Sequence, residues 1–163
     1  MTLMSKERFL RCLKKTPIIL EAILKDVSPE QVRELRDGDD GWNVVEVMCH
    51  LRDFENIFFR RAQQIVDENR PNIIPVDHEA LAAAGDYAIQ DLKTVFGQYV
   101  ETRRRFIGWL EGLADDEWHR VGIHPESGEI TVMEIAMQVT THDVDHTEQI
   151  VRILELADAQ FQD

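Results

Sequence analysis

The chain has 163 residues and carries 18 Lys and Arg against 31 Asp and Glu, which gives a formal net charge of −13. This length is typical of one domain with one hydrophobic core, so we expect a single domain over residues 1–163. Nucleic acid and anionic membranes attract positively charged surfaces, and the excess of acidic residues therefore argues against both as partners.

Cysteine content and hydropathy predict the cellular compartment. Two cysteines, Cys12 and Cys49, are too few for a disulfide framework. The longest apolar stretch, Pro17 to Leu24, is too short to span a bilayer, and residues 1–15 lack the pattern of a signal peptide. We therefore expect a cytoplasmic protein.

The first half of the chain shows helical periodicity in two long segments. Apolar residues recur at helical spacing over about 5–25, and Ser28 before Pro29 predicts a short helix through residue 35. Asn43, with Glu46 three residues later, has the spacing of a capping box and predicts a second long helix that ends before Pro71.

The second half repeats this organisation. Residues 70–87 contain two prolines and predict a long connection with one turn of helix at 78–84. A third long helix is predicted over about 89–113, followed by a polar loop, and a fourth from the Thr131 cap to about residue 156. No segment shows the sustained alternation of a strand, so the fold class is predicted to be all-α.

The two halves are similar in sequence as well as in order. Residues 43–48 align with residues 131–136, and residues 27–32 align with residues 113–118. Duplication would give a four-helix bundle with an internal pseudo-two-fold repeat and a ligand site between facing helices. Chance similarity of two capped amphipathic helices is an equal alternative.

Three histidines interrupt apolar helix faces. His142 and His146 are four residues apart and therefore lie on one face of the fourth helix, and His50 lies on the apolar stripe of the second. Buried imidazoles need hydrogen-bond partners or a metal ion. Each alone is more often an ordinary core histidine, but the set of three predicts a metal site with an open position.

The run Trp42–Leu51 and the later His142-x-x-x-His146-x-x-Gln149-Ile150 together resemble the DinB-like family, also called YfiT-like metalloenzymes. The resemblance covers essentially the whole chain. It implies an up-down-down-up four-helix bundle, commonly a homodimer, with a divalent metal ion held by His50, His142 and His146. Zinc or nickel is the expected ion.

The resemblance also implies a range of activities. Characterised relatives look like S-transferases and isomerases that use bacillithiol or mycothiol. We therefore expect an enzyme whose metal activates a low-molecular-weight thiol, or water in a hydrolase, to act on a small-molecule substrate. The alternative is a non-catalytic stress-response or interaction module with a structural or vestigial metal site. Gln138 occupies a level where many relatives have a further histidine.

Other polar or reactive residues are given lesser roles. Glu46 is interpreted as a cap, with orientation of His50 as the alternative, and Cys49 as a packing residue. Two aspartates and three arginines are interpreted as solvated charges: Asp143, Asp145, Arg103, Arg104 and Arg105. For the arginines, binding of an anionic cosubstrate is the minority interpretation. Three histidines are interpreted as loop residues without a spaced partner: His78, His119 and His124. Apolar surface for the dimer is predicted to come from Phe58, Phe59 and Trp109, with ordinary surface exposure as an equal alternative.

Overall fold

The computed structural model describes residues 5–160. Outside this range lie residues 1–4 and 161–163. Both segments belong to the predicted domain of residues 1–163, and residues 1–4 belong also to the stretch that lacks a signal-peptide pattern. The helices are α1 (Lys6–Leu24), α2 (Gln31–Glu34), α3 (Val44–Asp67), α4 (His78–Ala84), α5 (Leu92–Glu111) and α6 (Val132–Gln160). Short 3₁₀ helices span Tyr87–Ile89 and Glu117–His119, and two strands, β1 (Val121–His124) and β2 (Gly128–Thr131), form a hairpin.

Two capping boxes fix the starts of α3 and α6. The Asn43 side chain accepts from the amide of Glu46, whose carboxylate accepts from the Asn43 amide at 2.8 Å. Thr131 and Glu134 make the same reciprocal pair, with the Thr131 amide donating to the carboxylate at 2.7 Å. Both predicted helix starts are therefore confirmed. Each start determines which face of its helix meets the core, and so which way His50 on α3 and His142 and His146 on α6 are directed.

The four long helices α1, α3, α5 and α6 form the predicted four-helix bundle. α1 packs against α5 and α6, and α3 packs against the same two helices. The first and second long helices therefore lie on one diagonal, and the third and fourth lie on the other. The fold class predicted from periodicity is confirmed.

Residue contacts give the direction of each long helix. Glu55 pairs with Arg103 and Phe59 stacks on Phe106, so α3 and α5 run parallel. Lys6 at the start of α1 pairs with Asp115, which follows the end of α5, so these two run antiparallel. In α6, Val132 shares a core cluster with residues from the start of α1 and the end of α3. The order is therefore up-down-down-up.

Two apolar clusters fill the two ends of the bundle. One lies around the start of α1 and the end of α3, and its largest residues include Phe58, Phe106 and Trp118. The other lies around the end of α1 and the start of α3, with Val45, Met48 and similar residues at its centre. Polar residues that are buried or half-buried lie along the middle of the bundle, where they form the two clusters described below.

The hairpin is a departure from the predicted polar loop. β1 and β2 pair antiparallel with Val121 opposite Thr131. The Ile73 amide donates to the carbonyl of Ile123 at 2.8 Å, and the Ile123 amide donates to the carbonyl of Pro71 at 2.8 Å. A Cβ at Gly122 would lie 2.8 Å from Cγ1 of Ile65, so only glycine lets β1 approach α3 this closely. Four-residue strands are too short to show alternation, which is why the sequence predicts a loop here.

The repeated order of elements extends to this region. In the first half a single antiparallel bridge, Arg36 with Asn43, stands where the hairpin stands in the second. Each half then has a long helix, a short helix, an antiparallel pair and a capped long helix.

Among the described residues, no helix is long and apolar enough to cross a membrane.

Predicted and observed helix ends differ most at the start of α5 and the end of α6. α5 begins at Leu92 rather than near residue 89, because the Asp91 side chain accepts from the Thr94 amide and caps the helix there. α6 continues to Gln160, four residues beyond its predicted end. The short helix α4 has the predicted bounds of 78–84.

Candidate metal centre

Three histidine side chains converge between α3 and α6. His50 comes from α3, and His142 and His146 come from successive turns of α6. The Nε2 atoms of His50 and His142 are 3.0 Å apart, and one ring nitrogen from each of the three lies within 4.8 Å of the other two. The structure therefore brings together the three residues that the sequence predicts as a metal site.

Aromatic side chains surround the two innermost imidazoles. Trp42 packs on the His50 ring at 5.0 Å between centroids, and Phe54 contacts both His50 at 4.4 Å and His142 at 5.3 Å. Burial and the neighbouring His146 lower the pKa of His50 and of His142 to about 3. Both rings are therefore neutral near pH 7, with two facing nitrogens that cannot both donate a hydrogen bond.

The third ring is held by hydrogen bonds that leave one nitrogen free. His146 Nδ1 lies 2.8 Å from Oε1 of Gln149, one turn further along α6. The amide nitrogen of Gln149 donates in turn to Asp37, at 2.9 Å. His146 thus offers its other ring nitrogen to the cluster.

The donor set fits a divalent transition-metal ion. Zinc binds imidazole nitrogen at about 2.0–2.1 Å, so two tetrahedral ligands lie roughly 3.3 Å apart. The nitrogen separations in this cluster, from 3.0 Å to no more than 4.8 Å, bracket that value. Neutral imidazoles are suitable ligands for zinc, nickel and copper. Only these three residues form such a group in the part of the chain that the structure describes, which leaves a coordination position for a small molecule.

A fourth histidine lies at the edge of the cluster. The ring of His78, the first residue of α4, stacks on Phe54 with centroids 4.7 Å apart and an angle of 5°, and lies 5.8 Å from the His50 ring. Its interpretation as a loop histidine without a partner is therefore wrong. The Asp77 cap signals the start of a helix, but no sequence signal places His78 on Phe54. His119 and His124 lie outside the cluster.

A second polar cluster crosses the middle of the bundle. Arg103 on α5 makes two hydrogen bonds of 2.7 Å to Glu55 on α3, and two of 2.8 and 2.9 Å to Asp143 on α6. It also donates to the carbonyl of Leu13 on α1. All four long helices therefore meet at one guanidinium group.

The interpretation of Arg103 and Asp143 as solvated charges is wrong, since each residue is 1% exposed. Asp143 does point away from His142, as the helical wheel predicts. In this bundle, however, α6 packs against both α1 and α3, so the side of α6 that carries Asp143 is also covered by protein and not exposed to water. Asp145, Arg104 and Arg105 are exposed, in agreement with the sequence.

The remaining candidates have local roles. Glu46 caps α3 and pairs with Arg36 at 3.0 Å, as the capping interpretation expects. Cys49 is buried, and burial raises the pKa of its thiol to about 11, so it stays protonated near neutral pH. Gln138, at the level where relatives often have histidine, is exposed on α6.

A four-helix bundle with three histidines converging inside it defines a class of helical proteins with a candidate metal centre. The model of the DinB superfamily matches residues 13–150. The chain therefore belongs to the DinB superfamily, as its resemblance to DinB-like proteins predicts.

Individual relatives agree with this assignment. The chain is 27% identical over 153 residues to YfiT of Bacillus subtilis, named as a candidate metal-dependent hydrolase, with 93% of this chain and 84% of YfiT covered. It is 27% identical over 121 residues to OB0782 of Oceanobacillus iheyensis, which carries the same designation, with 74% and 69% covered.

A solved structure of Bacillus subtilis YfiT has the same fold. It superposes with a TM-score of 0.87 at 22% identity, over 97% of this chain and 90% of that one. That structure is described as a probable metal-dependent hydrolase with an unusual four-helix bundle topology. At this identity the likeness shows the fold, and the arrangement of helices described above agrees with it.

Proposed function

We propose that this protein is a metal-dependent hydrolase of small molecules in which His50, His142 and His146 hold one divalent ion, zinc or nickel. The observation that carries the proposal is the 3.0 Å separation of two Nε2 atoms on neutral rings, those of the buried His50 and the half-buried His142. If one ring carries its proton on Nε2, the two nitrogens share a single N–H···N hydrogen bond. If both rings carry it on Nδ1, two lone pairs face one another, and a cation between the rings would satisfy both. The names of the relatives support hydrolysis as the reaction.

The ion would lower the pKa of a bound water or thiol toward neutrality. The chain itself supplies the surroundings of the site. Trp42 and Phe54 exclude water from the His50 ring and keep it neutral. His78 lies on the outer side of Phe54, where it can contact a substrate that enters the open position. The protonated Cys49 thiol does not compete as a nucleophile.

The first test is metal content. Protein purified without a nickel column should contain about one divalent ion per chain. The His119→Ala and His124→Ala variants should contain the same amount, because neither residue is in the cluster. Full metal content in a His50→Ala variant would remove His50 from the site.

Cobalt substitution separates water from thiol chemistry. The experiment uses Cys49→Ser as the parent, so that no buried protein thiol can produce a sulfur signal. Co²⁺ coordinated by thiolate gains charge-transfer absorption that histidine and water ligands do not give. A hydrolase should respond to azide and pH but not to added small thiols. The same additions to His146→Ala should give no response, because the damaged site should not retain cobalt.

Two other results of this experiment point to other functions. A thiolate band on addition of a small thiol would favour the S-transferase or thiol-dependent isomerase that the family resemblance implies. No response to any addition would indicate a closed site and would favour a structural role in a stress-response or interaction module.

We also propose that the protein is a cytoplasmic homodimer. Phe58 and Phe59, predicted as interface residues, are buried in the core, so the predicted source of interface area is wrong for both. The exposed apolar residues Ile18, Ile19 and Val144 lie on α1 and α6 and offer an alternative surface. Light scattering should give twice the chain mass of 18.9 kDa. A mass of one chain at micromolar concentration would contradict the proposal.

A further inference from the structure

A chain of hydrogen bonds leads from the histidine cluster to a turn outside the bundle. His146 Nδ1 lies 2.8 Å from Oε1 of Gln149, and Nε2 of Gln149 lies 2.9 Å from Oδ2 of Asp37. Arg152, on the next turn of α6, donates to the same carboxylate oxygen at 3.0 Å. Asp37 and Gln149 are 112 positions apart in sequence, so only the tertiary fold brings them together.

The direction of each bond in this chain follows from the chemistry of its outer end. An ionised carboxylate only accepts hydrogen bonds, so the Gln149 amide must turn its NH₂ group to Asp37. Its carbonyl oxygen then faces His146 and can only accept. In the neutral form, which is the one that binds a metal ion, the imidazole must therefore carry its proton on Nδ1, and this leaves the lone pair on Nε2.

We infer that Asp37 is a positioning residue for the metal site, which fixes the tautomer of His146 through Gln149. The inference rests on the proposed function, since a fixed Nε2 lone pair serves metal binding. Partners of this kind orient a metal-binding histidine and typically change metal affinity by roughly 10–100-fold when they are removed. Neither the family comparison nor the helix pattern assigns a role to residue 37.

The turn that carries Asp37 is built to hold it in place. The Asp37 amide donates to the carbonyl of Trp42 at 3.0 Å, and Arg36 and Asn43 form an antiparallel bridge. A Cβ at Gly41 would lie 1.8 Å from the Asp37 carbonyl oxygen, so the turn requires glycine at that position. Trp42, from the same turn, packs on His50. The turn therefore contacts two of the three histidines, one directly and one through Gln149.

The test compares two substitutions of Asp37 that differ in one property. Gln149 and Arg152 both donate to the same oxygen, so a single carbonyl oxygen is sufficient for both bonds. Asp37→Asn should keep them, whereas Asp37→Leu removes the acceptor. Asp40→Leu, in the same turn and exposed, is the matched control for a general effect of altering the turn.

Two measurements are made on each variant. Nitrogen-15 NMR of the chelator-treated protein reports which ring nitrogen of His146 carries the proton, and competition with a chromophoric chelator gives zinc affinity. We expect the Nδ1–H form in the wild type, Asp37→Asn and Asp40→Leu. Asp37→Leu should populate the Nε2–H form and bind zinc about 10-fold more weakly. Circular dichroism confirms that each variant is folded.

The inference is overturned if Asp37→Leu keeps the wild-type tautomer, or if the wild type already carries the proton on Nε2. It is also overturned if Asp37→Asn loses the tautomer as completely as Asp37→Leu. A wild type that binds no zinc would contradict the proposed function instead. The NMR comparison uses metal-free protein and still decides the role of Asp37 in that case.

Discussion

Two polar clusters lie within the same bundle and solve the problem of buried polar groups in different ways. In the Arg103 cluster, the guanidinium group forms hydrogen bonds with two carboxylates and a backbone carbonyl, all within the chain. In the histidine cluster, neutral rings turn their nitrogens toward one another at 3.0 Å. The first cluster is satisfied by its own residues, while the second has a place for a cation.

α6 contributes adjacent residues to both clusters. Asp143 faces Arg103 and its neighbour His142 faces His50. The arginine joins all four long helices and so holds α6 in a fixed position against α3. The Arg103 cluster thus holds the helices together, and under the proposed function the histidine cluster uses their fixed positions to bind a metal ion.

The largest effect is expected from removing the charge at the centre of the first cluster. Arg103→Met leaves Glu55 and Asp143 buried without a cation and should lower the free energy of unfolding by about 3–5 kcal/mol. Urea denaturation measures this value. The exposed Arg104→Met variant should stay within roughly 0.5 kcal/mol of the wild type. Equal effects of the two variants would contradict the role given to the buried cluster.

A smaller effect is expected from breaking the second cluster, and only when metal is present. His142→Ala should lose the bound ion, and with it about 2.7 kcal/mol of stabilisation at a free zinc concentration 100 times the dissociation constant. Thermal or urea unfolding with and without chelator measures the difference. If the chelator destabilises His142→Ala as much as the wild type, the ion is bound elsewhere.

The pH dependence of the metal-free protein should follow the lowered pKa of His50. The pKa is about 3 in the folded protein, below the ordinary value of 6.5, because burial and the neighbouring histidines disfavour the charged ring. Between these two values the unfolded chain takes up a proton that the folded chain does not, so stability is lost as pH falls below about 6.5. The slope for one such group is at most about 1.4 kcal/mol per pH unit.

Urea unfolding of chelator-treated protein at about pH 7 and about pH 5 tests this dependence. His50→Leu should lose less stability over this range than the wild type, because it removes one group that titrates only when unfolded. The exposed His119→Leu should behave as the wild type does. An equal loss in His50→Leu and the wild type would show that other groups dominate the acid sensitivity.

The smallest effect is expected at the start of α6, outside both clusters. Thr131→Ala removes the side-chain oxygen that accepts from the Glu134 amide and should cost about 1 kcal/mol. Metal content should remain that of the wild type, measured on the same preparation. A loss of metal would show that the histidine cluster depends on general stability rather than on its own geometry.

Local sequence signals predicted much of the fold. The capping boxes at Asn43 and Thr131 act within three residues, so the starts of α3 and α6 follow from the sequence alone. The three histidines could be proposed as a site because each interrupts an apolar helix face. The hairpin of residues 121–131 has no such signal, because its strands are too short to show a period.

The sequence by itself determined which faces of the helices are apolar and which histidines share such a face. Only the tertiary structure decided what each face meets. The helical wheel predicts an exposed Asp143, but this residue is buried against Arg103, 40 residues away. His78 stacks on Phe54. Asp37 reaches the site through Gln149, 112 residues later. Helix periodicity depends on interactions within about four residues, whereas these contacts depend on which helices and turns the whole chain brings together.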